Sequence, residues 1–422
     1  PIFGSVAPRR TLAPPMILGS TDALLRECAL AHLQIDVSLE LLVEKLHAGR
    51  PALLGALKEA GVAKLADRQG LANAMGKAMR EGRLLPGAED CEPAAPESHD
   101  ADGRLRWLFD LSAWQPTSEG WRVLLGLLPP AEVDKVMRYV RLDDRKRALV
   151  SRLLQRAACA AALGLPFSAA SIQRTKGSKP FLHNRPEGRA ELANWNFNVS
   201  HEGRYVALAA EPLLVCGVDV AAPEQVRGAR RSLEALFKSM ESQLTRREWR
   251  TIEAAPTERA KEDLFRKYWS LKEAYTKARG DGIAFPLGKC DFHLDDATST
   301  ATVIVDGQPL DQWKFFLQPL PESHWVSVAR GPPADIIDAF GAFKATFKRP
   351  SLPPAEMAAQ LNQKEPSFIM KTIEELLPVG ARDEYAALAE EGFVLSDDNS
   401  SRQAAGSAIK GDASPRTPPT PH

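Results

Sequence analysis

Between residues 104 and 331 the sequence runs twice through strand-like, helical and again strand-like segments, and this doubled order confines the chain to an α+β fold of two similar halves. In the first pass, RLRWLFDLSAW (104–114) alternates as a strand does, and Pro129-Pro130 opens helices containing VDKVMRYV and KRALVSRLLQRAACAAALG. ASIQRTKGSKPFL, NWNFNVS and RYVALAA then return to strand character. In the second pass LLVCGVDV is a strand, residues 228–280 carry a helical pattern broken at Pro256, and KCDFHL, TATVIVDG, WKFFLQPL and HWVSVA are strands. The halves so defined are 104–215 and 216–331.

The flanks read differently. Residues 1–19 are basic and free of acids, as a disordered terminus or the stub of a targeting segment would be. Residues 20–85 form a helical block: Ser20 or Thr21 can cap its first helix, and SLELLVEKLHAG has helical spacing closed by glycine. LLGALKEAGVAKLADRQGLANAM resembles part of a sterile-alpha-motif-like module, a kind of unit that binds partners. Residues 86–103 are proline-rich, acidic and aperiodic, as a linker is. DIIDAFGAFKATF and PSFIMKTIEELL mark 332–395 as a helical extension, and 396–422 are too polar to order themselves.

With 422 residues, 44% of them hydrophobic, the chain can bury more than one core. Lysine plus arginine equals aspartate plus glutamate at 54 each, so no overall field draws the protein to nucleic acid or to a membrane surface. No run of 18 apolar residues exists to span a bilayer. The five cysteines, Cys28, Cys91, Cys159, Cys216 and Cys290, are odd in number and scattered, which argues for a reducing compartment and against a disulfide framework or zinc cluster. The expectation is a monomer of the cytoplasm, or of a plastid or other organelle if a targeting segment has been removed.

Three places carry chemistry. LLVCGVDVAA holds one acid, Asp219, inside an apolar run, and a buried carboxylate must be paired, hydrogen-bonded or metal-bound. Alone it reads most simply as a salt-bridged or turn-capping acid. In YWSLKEAYTKARGDG, helical spacing stacks Trp269, Glu273 and Lys277 in one stripe. The plain reading is an exposed Glu–Lys pair worth roughly 0.3–0.5 kcal/mol. A carboxylate from a strand and another from a helix can instead share a hard cation beside a phosphate, as Mg²⁺ is commonly held. Lys277 and the turn at Arg279, Gly280, Asp281 and Gly282 would then face the same phosphate. The third place is NFNVSHEG, where a strand enters a tight turn at Ser200, His201, Glu202 and Gly203, a loop able to grip a phosphate.

NFNVSHEG, then GVDV, then WSLKEAYTKARGDG, in this order and spacing, resemble the signature of single-chain 4′-phosphopantetheinyl transferases, the larger class similar to the aminoadipate-pathway enzyme. QRTKGSKPFL, LTRREWRTI and KCDFHL also fit, so the resemblance spans about residues 104–330. It implies a pseudo-dimeric transferase fold and Mg²⁺-dependent transfer of the phosphopantetheine arm of coenzyme A to a serine of an apo acyl or peptidyl carrier protein. By the resemblance Asp219 and Glu273 match the metal ligands, Glu273 also the base, and Lys277 the lysine that neutralises the leaving phosphate. Lys272 sits beside the glutamate in the same motif. His201, with Ser200, matches the histidine near the 3′-phosphate; Lys179 and Pro180 match an element by the nucleotide, with Arg174 nearby.

Two departures stand out. Ala221 occupies the position where many members carry a further acid, leaving Glu202 as the natural third metal ligand. An arginine expected near residues 143–147 is displaced, with Asp143 in its register, so Lys146, Arg147 or Arg152 would take the phosphate. Carrier proteins present acidic helices, which makes Arg227, Arg230, Arg231, Arg246, Arg247 and Arg250 candidates for docking. Two other classes compete. A metal-dependent nuclease would place its Glu and Lys two apart on a strand and would favour a basic chain. A scaffold with a decayed core would not need Asp219, Glu273 and Lys277 together.

Overall fold

The computed structural model describes residues 21, 24–25, 28, 37–47, 49–80, 102–186, 189–223, 232–282 and 285–397. Ser20, Cys91, Arg227, Arg230, Arg231, the 1–19 segment, most of the linker and nearly all of the tail lie outside them. The N-terminal block is present as helices α1 (Leu39–His47), α2 (Arg50–Glu59) and α3 (Leu65–Arg80) around a small core of Leu42, Leu53, Leu57, Val62, Leu71 and Met75. The Thr21 hydroxyl donates to the Val37 carbonyl at 2.7 Å.

The first half is built on strands β1 (Arg106–Asp110), β4 (Asn196–Glu202) and β5 (Tyr205–Glu211), which pair antiparallel in the order β1-β5-β4. Helices α4 (Ser118–Gly126) and α5 (Pro130–Met137) lead to α6 (Leu142–Leu163), which buries Leu149, Leu153 and Ala157 against that sheet and stops at Gly164 in the left-handed region. A short hairpin of β2 (Ile172–Arg174) and β3 (Pro180–Leu182) follows α6.

The second half repeats the plan. Its sheet runs β6-β11-β10-β8-β7, from β6 (Val215–Ala221), β7 (Cys290–Asp295), β8 (Thr300–Val305), β10 (Lys314–Leu320) and β11 (His324–Gly331), with β9 (Gln308–Pro309) paired to β8. Helices α7 (Leu233–Ser239) and α8 (Arg246–Glu253) precede α9 (Glu258–Arg279), which lies across β6 and β11. The Thr257 side chain caps α9 by accepting the Ala260 N–H, and Gly280 ends the helix at φ 91°. Gly217 sets the spacing: a Cβ there would fall 2.0 Å from the Ala274 carbonyl oxygen, so only glycine lets the α9 backbone lie flush on β6.

The halves meet where β4 faces β6, and the junction is made by side chains. The Oδ1 atoms of Asn196 and Asn198, the Oγ of Ser200 and the Oε2 of Glu202 accept the backbone N–H groups of Cys216, Val218, Val220 and Ala222 at 3.1, 2.9, 3.2 and 2.7 Å. Each partner lies twenty residues on, so alternate side chains of β4 stand in for the carbonyls of a missing neighbour strand.

The extension departs from its expected helices. DIIDAFGAFKATF starts on the last residue of a 3₁₀ turn at 333–335 and holds one further such turn at 344–346, and PSFIMKTIEELL contributes a strand, β12 (Ile369–Met370), and a 3₁₀ turn at 374–376. Ile336, Phe343 and Phe347 are drawn individually into the second-half core, while the Asp338 carboxylate accepts the N–H groups of Phe343 and Lys344. β12 pairs parallel to β1 and completes the first sheet. True helices in this region are α10 (Pro354–Leu361) and α11 (Val379–Leu388), the latter docked on α4, with Tyr385 Oη accepting from Trp114 Nε1 at 3.2 Å. Among the described residues no helix is long and apolar enough to cross a membrane.

Candidate active site

Asp219 sits on β6 two residues beyond Gly217, so strand alternation turns both toward α9. There Lys277, in the last turn of the helix, donates to Asp219 Oδ1 at 2.5 Å. Ser200, from the first half, donates to the same oxygen at 3.0 Å and accepts from Lys277 Nζ at 2.9 Å. Residues 77 and 58 positions from the lysine thus close a three-membered hydrogen-bonded group on the seam. Beneath it, the Ser270 hydroxyl donates to the Asp219 carbonyl at 3.3 Å and fastens the strand to the helix.

Two further acids, Glu202 and Glu273, feel this group. Burial pushes the Glu202 carboxyl up to about 7, with the negative charge of Asp219 adding to the effect. Burial also raises Glu273, and Asp219 adds to that while Lys277 opposes it. His201 keeps part of its surface in solvent, yet desolvation by the surrounding protein, then the charges of Lys277 and Arg147, push its imidazole down to about 4. Arg147 reaches the turn itself, donating from Nε and Nη2 to the Gly203 carbonyl at 3.0 and 2.7 Å. The region therefore has more carboxylate than nearby cation.

Among the described residues no three of His, Cys, Asp and Glu converge as a preformed metal cage. Mg²⁺ rarely uses such a cage, taking one or two carboxylates and completing its shell with water and substrate phosphates. The donors fit that ion: hard carboxylate oxygens, two of them on acids whose charged form burial and then Asp219 disfavour, so that a bound cation would relieve the penalty.

Three lysines expected near coenzyme A have their ammonium groups engaged within the protein. Lys146 is buried, its Nζ donating to the Leu111 and Trp114 carbonyls at 2.9 and 2.6 Å. Lys179 is buried too, donating to the Cys216 and Lys277 carbonyls at 2.7 and 2.8 Å; burial lowers its pKa to about 8. Lys272 is fully enclosed and donates to the Leu287 and Cys290 carbonyls while pairing with Glu248 at 2.9 Å. These three ammonium groups tie elements of the fold together, because a lysine with carbonyls in reach is cheaper to bury than one without. Pro180 is buried at the start of β3. Exposed Arg174 donates to the Ser178 carbonyl at 2.8 Å, and its charge acts on Arg152. Gly177 packs against the Gly280 carbonyl, where a Cβ would come within 2.4 Å, so the Lys179 loop and the turn after α9 form one surface. Of the docking arginines, Arg247 is engaged by Asp291 at 2.8 Å, while Arg246 and Arg250 are exposed.

The sequence reading did not single out Asn196 and Asn198, although their period-two alternation with Ser200 and Glu202 inside NFNVSHE was the available signal. It also passed over Glu248, the buried partner of Lys272, which accepts the N–H groups of Thr245 and Phe292 as well.

The comparisons follow this architecture. Residues 112–213 match the family described as 4′-phosphopantetheinyl transferase, N-terminal, and residues 215–329 match the 4′-phosphopantetheinyl transferase superfamily. The chain is 31% identical to the mouse (Mus musculus) L-aminoadipate-semialdehyde dehydrogenase-phosphopantetheinyl transferase over 232 residues, 53% of this chain and 74% of the relative. It is 36% identical to a phosphopantetheinyl transferase of Thraustochytrium over 227 residues, 53% and 77% of the two chains. A 4′-phosphopantetheinyl transferase of Bacillus subtilis is 26% identical over 174 residues, 41% and 70% of the two.

Proposed function

The chain belongs to the 4′-phosphopantetheinyl transferase superfamily, and from that premise we propose that it transfers the 4′-phosphopantetheine arm of coenzyme A to a serine of an apo acyl or peptidyl carrier protein, as a holo-[acyl-carrier-protein] synthase. The observation that carries this reading is the seam group itself: Asp219 and Lys277 of one half joined to Ser200 of the other, beside two acids whose ionisation burial disfavours.

Asp219 and Glu273, with Glu202 as the third donor, would hold Mg²⁺, which when bound supplies positive charge to the diphosphate. Lys277 would neutralise the leaving phosphate, a role supported by its bonds to Asp219 and Ser200, which keep the ammonium at the seam. Glu273, its pKa raised by burial, is the group we assign to take the proton of the incoming serine. The serine oxygen forms the new bond to the β-phosphorus, the bridging P–O bond breaks, and adenosine 3′,5′-bisphosphate leaves with that electron pair. Displacement at phosphorus asks mainly for in-line positioning and charge neutralisation, so no covalent enzyme intermediate is needed. His201, Arg147, Arg152 and Arg174 are the groups available to the 3′-phosphate and nucleotide. The lysines at 146, 179 and 272 act from below, holding the strands and helices that carry the site.

For the carrier, Arg246 and Arg250 are exposed along a groove of about 1020 Å³ whose other charges, Lys238 and Lys261 against Glu234, Glu241, Glu253 and Glu258, make it mixed rather than basic, so docking would rest on the two arginines. Carriers of fatty-acid, polyketide, nonribosomal-peptide or aminoadipate-reductase type all offer the acidic helix such charges would meet.

The test is direct. Incubated with coenzyme A, Mg²⁺ and an apo carrier, the protein should add the arm, read by mass spectrometry as the expected mass gain. Glu273→Gln and Asp219→Ala should lose that gain, and full activity in both would overturn the site assignment. Arg246→Glu with Arg250→Glu should weaken carrier affinity and leave coenzyme A affinity as it was.

A further inference from the structure

Ser327 lies in the middle of β11, inside the apolar stretch HWVSVA, and is directly opposite Asp219 in the antiparallel ladder. Opposed residues of such a ladder project to the same side of the sheet with Cβ atoms about 4.5–5.5 Å apart. Ser327 therefore shares the α9-facing surface with Asp219 and Gly217. It is fully buried, and its hydroxyl has no hydrogen-bond partner among the described residues. An unpartnered buried hydroxyl is costly, and alanine or valine would serve β11 better at this point if packing were all that mattered. On the Asp219 carboxylate, meanwhile, Lys277 and Ser200 both bond to Oδ1.

We propose that Ser327 is a positioning residue for Asp219: its hydroxyl donates to that carboxylate when coenzyme A and a divalent cation are bound, fixing the rotation of the group that Lys277 holds in the free protein. This rests on the reading of Asp219 as a residue of the transfer site. In the free protein the hydroxyl is held in reserve, so its removal should cost the fold nothing while costing the loaded site a charge-assisted hydrogen bond.

Ser327→Ala and Ser327→Cys separate these roles, the second because a thiol fills the space but donates weakly. Thermal unfolding of the free protein should be unchanged or shifted upward in the alanine variant. Coenzyme A affinity, measured by calorimetry with and without Mg²⁺, should fall about tenfold in the presence of Mg²⁺ and stay constant in its absence. kcat/KM for transfer should fall in parallel, in both variants. A drop in thermal stability would show that the hydroxyl already serves the fold, and unchanged Mg²⁺-dependent affinity would show that it serves nothing; either result overturns the proposal. Asp219→Ala, run alongside, tests the underlying reading on its own: if that variant keeps full transfer activity, the site reading fails whatever Ser327 does.

Discussion

Glu211 and Asp219 are buried acids eight residues apart, one ending β5 and the other inside β6, and they live in opposite electrostatic worlds. Glu211 receives Arg104 at 3.0 Å and Arg106 at 2.5 Å, with Arg330 at 3.9 Å. Glu365, from the C-terminal extension, pairs with Arg106 at 2.5 Å and lies 3.6 Å from Arg330. Three guanidinium groups thus face two carboxylates, drawn from both halves and the extension. Burial alone would raise the pKa of Glu211, but Arg106, Arg104 and Arg330 outweigh it and hold the carboxyl below its usual range. Around Asp219 the balance is reversed: one ammonium, Lys277, is in contact, and Glu202 and Glu273 stand by with raised pKa values. The Glu211 cluster is closed in the sense that surplus guanidinium holds its acids ionised, and it serves the fold; a group with more carboxylate than contacting cation has room for a cationic ligand.

Breaking the closed cluster should produce the largest effect, and on stability. Glu211→Ala leaves three buried guanidinium groups sharing one partly exposed carboxylate, a loss of about 3–5 kcal/mol by comparison with other broken buried pairs. Denaturant unfolding of the variant should show a lowered midpoint at an unchanged slope. A midpoint equal to that of the parent protein would mean the cluster is not what joins the halves.

Breaking the open cluster should produce a smaller free-energy change that falls on activity. Asp219→Asn retains the shape of the side chain and a carbonyl oxygen for Ser200 and Lys277, so the fold should survive. Transfer should drop by roughly 10²–10³-fold, the usual scale for removing one preorganised charge contact at a reacting phosphate or oxyanion. If Asp219→Asn unfolds as Glu211→Ala does while its remaining folded fraction works normally, the distinction between the two acids disappears.

The contrast also explains what the sequence could and could not disclose. Asp219 was legible because it is the sole acid of an apolar strand, and Glu273 and Lys277 because helical spacing stacks them. The two halves were legible because strand and helix periods alternate in the same order twice. The Glu211 cluster was not, since its partners at 104, 106, 330 and 365 come together only through the closure of both sheets and the return of the extension along β1. The engagement of Lys146, Lys179 and Lys272 with carbonyls was hidden for a related reason: sequence gives a lysine's charge, whereas its direction depends on which carbonyls the tertiary fold leaves within reach of a flexible stem. The seam ladder lay between these cases, with the alternation visible in NFNVSHE but its acceptors' partners hidden twenty residues away.

The finest test of the imbalance uses pH. Glu202 titrates near 7 in the folded protein against an ordinary value of 4.5, because burial and then Asp219 disfavour its charge. Between those values the folded state binds a proton that the unfolded chain has released, so this group's contribution to stability is greatest at low pH and is lost as pH rises through 7. Glu273 acts in the same direction. Glu202→Gln cannot ionise, yet its amide oxygen can still accept the Ala222 N–H that Glu202 now receives at 2.7 Å. The variant should therefore melt with a flatter dependence on pH between 5 and 8, gaining on the parent protein at the alkaline end. Mg²⁺ with coenzyme A should narrow that gap at pH 8, since a cation beside an ionised Glu202 stabilises the parent more than the amide. Scanning calorimetry of both proteins across this range, with and without the ligands, measures the two slopes. Identical slopes would mean that Glu202 is already neutralised within the protein, and that the region around Asp219 is as closed as the one around Glu211.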